Sequence, residues 1–417
     1  MERALSDPVI LICDDQEDRR AHWKHDLEQL EETGSGWEIQ LLGEDFGREL
    51  DVLRDRELAA REVGDGKATR EDVRIHGRDP ARPCKFDHTA VLLVDYDLLC
   101  FESNGWLTGE NVAYLARCYS TCQAIVSVNL TAQANPFDLT LVDHLDSFAD
   151  VNIGEAQLTA RALWGGPRHG LSPWSWPSLP ALVEAHRERV AQVADGGGKL
   201  LDLLALRDLS LPRQVRQLIE ADGENDPTFE RFVQRSELGL RGVDRPWDDT
   251  IGQVGAARAA KWLETVVLPA QDLLADAPHL AQRNPLLLAG DHRDQEVWDR
   301  TTQRDDSTGG LTSDLERHRH RAPDWANRPL WRWADVNGDN RLPGVAAPWD
   351  RPEPPLLFCE DVSRFLPAEC ARQFVVDDVP TSLPTRYVAK PDDPHVTEIV
   401  GEGLTSVQYG PRTRLTL

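Results

Sequence analysis

Short, wholly apolar runs alternate with amphipathic stretches over the first 165 residues, a rhythm that predicts alternating strands and helices. Residues 9–13 read VILIC, the continuous apolar run of a strand buried on both faces, and the run stops at Asp14 and Asp15. Ala21, Trp23, Leu27 and Leu30 then recur at helical spacing within residues 16–32. Residues 37–42 predict the next strand and 46–63 a charged helix, and 64–88 form a polar connection longer than compact domains usually use. A second clear buried strand, AVLLV at 90–94, ends in Asp95. A helix over 111–118, a strand over 124–128, a short helix over 137–145 and a last strand over 149–153 complete the pattern.

The sequence WGGPRHGLSPWSWPSLP at 164–180 breaks every periodicity and marks a boundary. Beyond it, residues 182–193, 199–206, 212–221, 227–238 and 255–275 predict helices, several opened by proline in the first turn. Within the last of these, Ala260, Leu263, Val266 and Val267 form a core-facing stripe. After Arg321 prolines become dense, Trp325, Trp331, Trp333 and Trp349 cluster, and short strands are expected at 356–359, 373–376 and 406–409. The expected organisation is therefore an α/β domain at 1–165 with an enlarged segment at 46–88. A helical domain at 178–285 and a Pro- and Trp-rich, mixed or β-rich unit at 286–417 follow it.

Composition narrows the class. Across 417 residues, 71 acidic side chains against 46 basic ones give a formal charge of −25. A surface so acidic does not provide the dense basic face that nucleic acid or an anionic membrane requires, so direct nucleic-acid binding is not expected. The longest apolar runs fall far short of a membrane span, and the first residues, MERALSDPVILI, lack a secretory apolar core. A cytoplasmic protein is expected. Seven cysteines without a C-x-x-C pair read as reduced, buried thiols. Only six of the basic residues are lysine, and none lies between Lys85 and Lys199.

The chemistry is expected where acids fall at strand ends. Side chains at the C-terminal edge of a parallel sheet face the crevice in which such folds place their sites. Asp14, Asp15 and Asp95 converging there would repel one another, and a hard, oxygen-ligated cation such as Mg²⁺ is the natural partner. VILICDDQEDRRAHWKHDLEQL followed by AVLLVDYDLL resembles the receiver domain of bacterial response regulators, over residues 8 to 160. The resemblance implies a flavodoxin-like α/β sandwich in which Asp14 and Asp15 bind Mg²⁺ and Asp95 accepts a phosphoryl group. It further implies that Asp97 completes the metal site through its backbone carbonyl and that Ser127, or less readily Thr131, acts as the switch hydroxyl. The family's lysine after the fifth strand has no counterpart, since Gly154 or Glu155 stands there, and this removes charge stabilisation from phosphoryl chemistry. The implied function is regulatory. A divergent receiver or pseudo-receiver would switch through its Asp/Mg²⁺ pocket or through a protein partner, either a histidine kinase or an effector of a phage-defence (conflict) system.

A second resemblance concerns LLVDYDLL, which looks like the first motif of haloacid-dehalogenase-like phosphatases. It implies Asp95 as nucleophile and Asp97 as general acid of a phosphohydrolase. Lesser candidates are DVNGDN (Asp335, Asn337, Asp339), which opens like a Ca²⁺ loop but has Ala346 where the closing acid belongs. GDHRD (Asp291, His292, Asp294), the run Glu316 to Arg321, the Cys118–Cys122 pair and the tryptophan tetrad read as turn, surface and core features.

Overall fold

The computed structural model describes residues 8–30, 36–64, 82–96, 98, 107–129, 137–138, 148–155, 158–159, 161–164, 178–193, 198–207, 209, 211, 228, 251–263, 267–268, 273–302, 308–321, 325, 329–343, 356–360, 364–374 and 386–390. Strands β1 (Val9–Cys13), β2 (Glu38–Leu42), β3 (Thr89–Asp95), β4 (Ala124–Asn129), β5 (Phe137–Asp138) and β6 (Val151–Gly154) form one sheet in the order β2-β1-β3-β4-β6-β5. All pairings are parallel except that of β5 with β6. The five parallel strands follow the order of a flavodoxin-like doubly wound sheet. Residues Ile10 to Cys13 and Val91 to Val94 are fully buried, as central parallel strands covered on both faces must be.

Helices α1 (Glu17–Glu28), α2 (Phe46–Gly64) and α3 (Gly109–Tyr119) connect these strands. Leu11, Cys13, Leu92 and Val94 share one apolar cluster with Phe46 and Leu50 of α2 and with Val112 and Leu115 of α3. The alternate residues Ile10, Ile12, Val91 and Leu93 are equally buried, with α1 against β1 and β2. The stripe of α1 differs from the expected one. Ala21 is exposed and Arg20 is buried with Trp23 and Leu27, because the Arg20 guanidinium donates to the Asp14 carbonyl at 2.5 Å.

The remaining strands need cover as well, and it comes from beyond the proline-rich boundary. After the short helix α4 (Arg161–Trp164), α5 (Leu179–Gln192) packs on β3 and β4. Its His186 takes part in a buried cluster with Arg117 of α3, at 3.4 Å, and with Gln253 of a later helix, at 2.6 Å. Burial, reinforced by Arg117, holds His186 down at about 3, so it stays neutral. Contacts accordingly divide the chain into one unit of Met1–Trp164, Leu179–Leu200 and Leu218–Ala259 and another of Gly165–Ser178, Leu201–Gln217 and Ala260–Leu417. This is not the division expected at 165, 178 and 285, because a two-faced sheet recruits α5 from the segment expected to stand apart.

Several element expectations are corrected. Phe137 and Asp138, expected to open a helix, pair as strand with Ile153 and Asn152. The helix expected at 255–275 begins earlier, as α7 (Ile251–Trp262) after the single-turn α6 (Leu200–Leu203), and Leu274–Asp276 is strand β7. The expected helices at 212–221 and 227–238 lie outside the described residues, apart from Thr228. The second unit carries helices α8 (Ala277–Arg283), α9 (Gln295–Arg300) and α10 (Trp333–Gly338), and β7 pairs with β8 (Leu330–Arg332). Its four-stranded sheet runs β10-β9-β12-β11, from β9 (Leu356–Cys359), β10 (Arg364–Pro367), β11 (Ala371–Phe374) and β12 (Arg386–Ala389). The β-rich character expected there is present, and the strand expected at 406–409 lies outside the described residues. Among the described residues no helix is long and apolar enough to cross a membrane.

Candidate functional site

The order of the parallel strands reverses at β1 and β3, which are neighbours while β2 lies beyond one and β4 beyond the other. The crevice outside the carboxyl ends of strands at such a switch point is where open α/β sheets bind ligands. Asp14 directly follows β1 and Asp95 ends β3, and the register Cys13↔Val94 sets the two acids in step at this edge. Carboxylate oxygens of Asp14, Asp15 and Asp95 all lie within 4.8 Å of one another. Asp14 and Asp95 are buried and Asp15 is half-buried.

Arginines enter this pocket from α1. One nitrogen of Arg19, Nη1, donates to Asp14 Oδ2 at 3.1 Å and to Asp95 Oδ2 at 2.8 Å. The other Asp14 oxygen accepts the Gln16 backbone N–H at 2.6 Å. Burial pushes the Asp14 carboxyl above its ordinary range and the Asp15 charge pushes the same way, against the Gln16 amide and Arg19. Cys13, just before Asp14, is buried in the apolar cluster on the other face of the sheet. Burial, then Asp14 and Asp95, drive its thiol well above the ordinary value.

The floor is set by close backbone approach. The Gly109 N–H donates to the Tyr96 carbonyl at 2.8 Å, and a Cβ at Gly109 would overlap the Asp95 carbonyl oxygen and sit 2.8 Å from Tyr96 Cα. Only glycine permits α3 to start so near the acid-bearing strand end.

The structure brings together Asp14, Asp15 and Asp95. Ser127 is placed otherwise. It pairs with Val94 while Asp95 pairs with Val128, so strand alternation sends the Ser127 side chain to the face of Cys13 and Val94, opposite to that of Asp95. The Ser127 hydroxyl is fully buried and finds no hydrogen-bond partner among the described residues. Asp97 and Thr131 lie outside the described residues. At the place of the missing lysine, Gly154 closes β6 opposite Asn129, and the exposed Glu155 accepts the Trp23 indole N–H at 2.8 Å. An anion therefore stands where a cation was sought. Reading the sequence for lysine alone passed over Arg19, Arg20 and Gly109. For the arginines the available signal was their place on the first turn and a half of the helix that leaves Asp15.

Local structure absorbs the lesser candidates. Asp335 and Asn337 lie in α10, and Asp339 is taken by Arg317, His318 and Arg341, which does not make a Ca²⁺ loop. Asp294 caps α9 through the Glu296 N–H, and Asp291 accepts the Arg293 N–H. Trp325 and Trp331 are core residues, and Arg283 lies 4.1 Å over the Trp333 ring. Cys118 and Cys122 are buried thiols not joined in a disulfide.

Fold and site together define an α/β domain whose switch-point crevice holds three carboxylates and a guanidinium. Compared with models of known families, with curated proteins and with solved structures, the chain finds no match.

Proposed function

We propose that the chain is a signal-transduction protein whose N-terminal unit is a receiver-like switch, with Asp95 as phosphoacceptor and Asp14, Asp15 and Asp95 as a Mg²⁺ pocket. The observation that carries this reading is the convergence of the three carboxylates within 4.8 Å at the β1/β3 edge. Its donor set is all hard oxygen, which suits a small divalent cation. Bound there, Mg²⁺ would neutralise the carboxylates. Asp95 would attack the phosphorus of a small phosphodonor such as acetyl phosphate, forming an acyl phosphate and releasing acetate. Arg19, already on the acceptor oxygen, is the cation nearest that oxygen among the described ion pairs. A receiver-like switch uses all three acids of the pocket, whereas a phosphohydrolase built on Asp95 and Asp97 would leave Asp14 and Asp15 without a role. A histidine kinase would set the state of the crevice by donating the phosphoryl group, or an effector protein of a conflict system would read it.

The experiment is to incubate the full chain with Mg²⁺ and acetyl phosphate and follow intact mass. A hydroxylamine-sensitive phosphoryl adduct, absent in Asp95→Asn, is expected. Continuous phosphoester turnover lost in Asp97→Asn would replace the reading with an enzyme. Mg²⁺ binding without adduct would restrict the switch to cation or partner control.

A further inference from the structure

Arg19 occupies two carboxylate oxygens of the pocket, one on Asp14 and one on Asp95. Its Nη1 contacts Asp14 Oδ2 and Asp95 Oδ2 at once, while Asp14 Oδ1 is already committed to the Gln16 amide. The side chain is 15% exposed, so it lies at the mouth of the crevice with a route to solvent. Arg20, beside it, is anchored differently, on the Asp14 backbone carbonyl at 2.5 Å, and does not compete for the carboxylates through that bond. Trp23, one turn on, ties the same helix to Glu155 at the end of β6. Thus α1 has two anchors that leave the acidic oxygens alone and one, Arg19, that covers them.

We infer that Arg19 is an internal latch, the resident cation of the pocket, which competes with a divalent metal for Asp14 Oδ2 and Asp95 Oδ2. Resting on the proposal that this crevice takes Mg²⁺, the inference adds how its entry is controlled. The metal-free domain holds the charges of Asp14 and Asp95 together through the guanidinium. The metal-loaded domain has released it, so that the state of the crevice is reported by the position of the Arg19 side chain and the first turn of α1. Release costs a two-carboxylate contact, and this sets the metal concentration at which the switch turns. A simple charge effect would act through the field and not the bridging geometry, and the two are separable because lysine keeps the charge but presents a compact ammonium in place of the planar fork.

The test is titration calorimetry of Mg²⁺ and Mn²⁺ into the full chain, as wild type, Arg19→Gln, Arg19→Lys and Asp95→Asn. The latch requires Arg19→Gln to bind metal about tenfold tighter or more, Arg19→Lys to fall between it and the wild type, and Asp95→Asn to bind weakest. Metal should also restore to Arg19→Gln the thermal stability lost with the guanidinium; if that variant does not fold, Arg19→Lys carries the comparison. Equal or weaker binding by Arg19→Gln, with wild-type binding intact, overturns the latch and leaves the metal pocket standing. Arg19→Lys indistinguishable from wild type overturns it in favour of a field effect. Absence of binding in wild type and both Arg19 variants overturns the pocket and the latch together.

Discussion

Two acidic clusters, one in each unit, are built from similar residue types and behave as opposites. In the second unit Asp276 caps α8, accepting the His279 N–H at 3.1 Å, and its Oδ1 also lies 2.5 Å from His279 Nδ1. His279 Nε2 lies 3.3 Å from Glu360, which forms a bidentate pair with Arg386 of β12. All four residues are buried, and with His279 protonated the two acids meet two cations. In the first unit the carboxylates of Asp14 and Asp95 share the guanidinium of Arg19 beside Asp15, Arg20 holds the Asp14 backbone carbonyl, and Asp15 and Arg19 reach the surface. The balanced cluster is a staple between α8 and the C-terminal sheet. The other sets more acids than cations together among the described ion pairs, which is the feature the proposed cation site draws on.

The sharpest way to break the comparison is Glu360→Gln, which leaves Arg386 buried without its counter-charge. A loss of about 3–5 kcal/mol is expected by chemical denaturation; a loss near zero would make the staple decorative. Its pH profile follows from the two shifts. Burial opposes the charged form of His279, but Asp276 and then Glu360 outweigh it and raise the group above 6.5. That contribution is complete below 6.5 and disappears as pH rises through the raised value. Burial likewise opposes the Glu360 charge, yet Arg386 and His279 lower it below 4.5, so its contribution is complete above 4.5 and disappears as pH falls through the lowered value. Thermal melts should show a plateau from pH 4.5 to 6.5 with decline on both sides, and Glu360→Gln should flatten it.

Gly109→Ala comes next in size. The added methyl overlaps the Asp95 carbonyl, so overpacking costs about 1–3 kcal/mol and displaces β3's end. Metal binding should fall with stability, whereas alanine at the open Gly338 should alter neither. Asp15→Asn acts in the other direction. Removing one of three like charges should stabilise the metal-free protein by about 0.5–2 kcal/mol while weakening Mg²⁺ binding, the signature of a residue kept for a ligand at some expense of stability. A destabilised Asp15→Asn would make the two clusters alike after all.

What was legible in the sequence divides along the same line. Buried strands announce themselves, because a parallel strand covered on both faces must be apolar throughout. VILIC and AVLLV therefore gave β1 and β3, and with them the positions of Asp14 and Asp95, nearly to the residue. Less visible were features defined by partners distant in the chain. Nothing local to residues 179–192 says that this helix serves the first sheet, and nothing local to Phe137 says it pairs with Ile153. Arg19 and Arg20 look like solvated charges on an amphipathic helix; only the return of the chain to Asp95 makes one a bridge between acids and the other a buried anchor.

Ser127 provides the smallest expected effect and the finest discrimination. The resemblance to receiver domains implies Ser127 as the switch hydroxyl, but it lies opposite Val94, one residue short of the register of Asp95. One residue on a strand exchanges faces, so the hydroxyl belongs with Cys13 and Val94 rather than with the crevice. Because its oxygen is buried without a hydrogen bond among the described residues, Ser127→Ala removes a desolvated group and opens only a hydroxyl-sized gap. These terms oppose each other, and the net change in stability should stay within about 1 kcal/mol. Adduct formation at Asp95 and Mg²⁺ affinity should both match wild type. Were Ser127→Ala instead to cut either one severalfold at unchanged stability, the β3–β4 register at the crevice would have to shift by a residue in the active state, which would bring the hydroxyl to the face of Asp95.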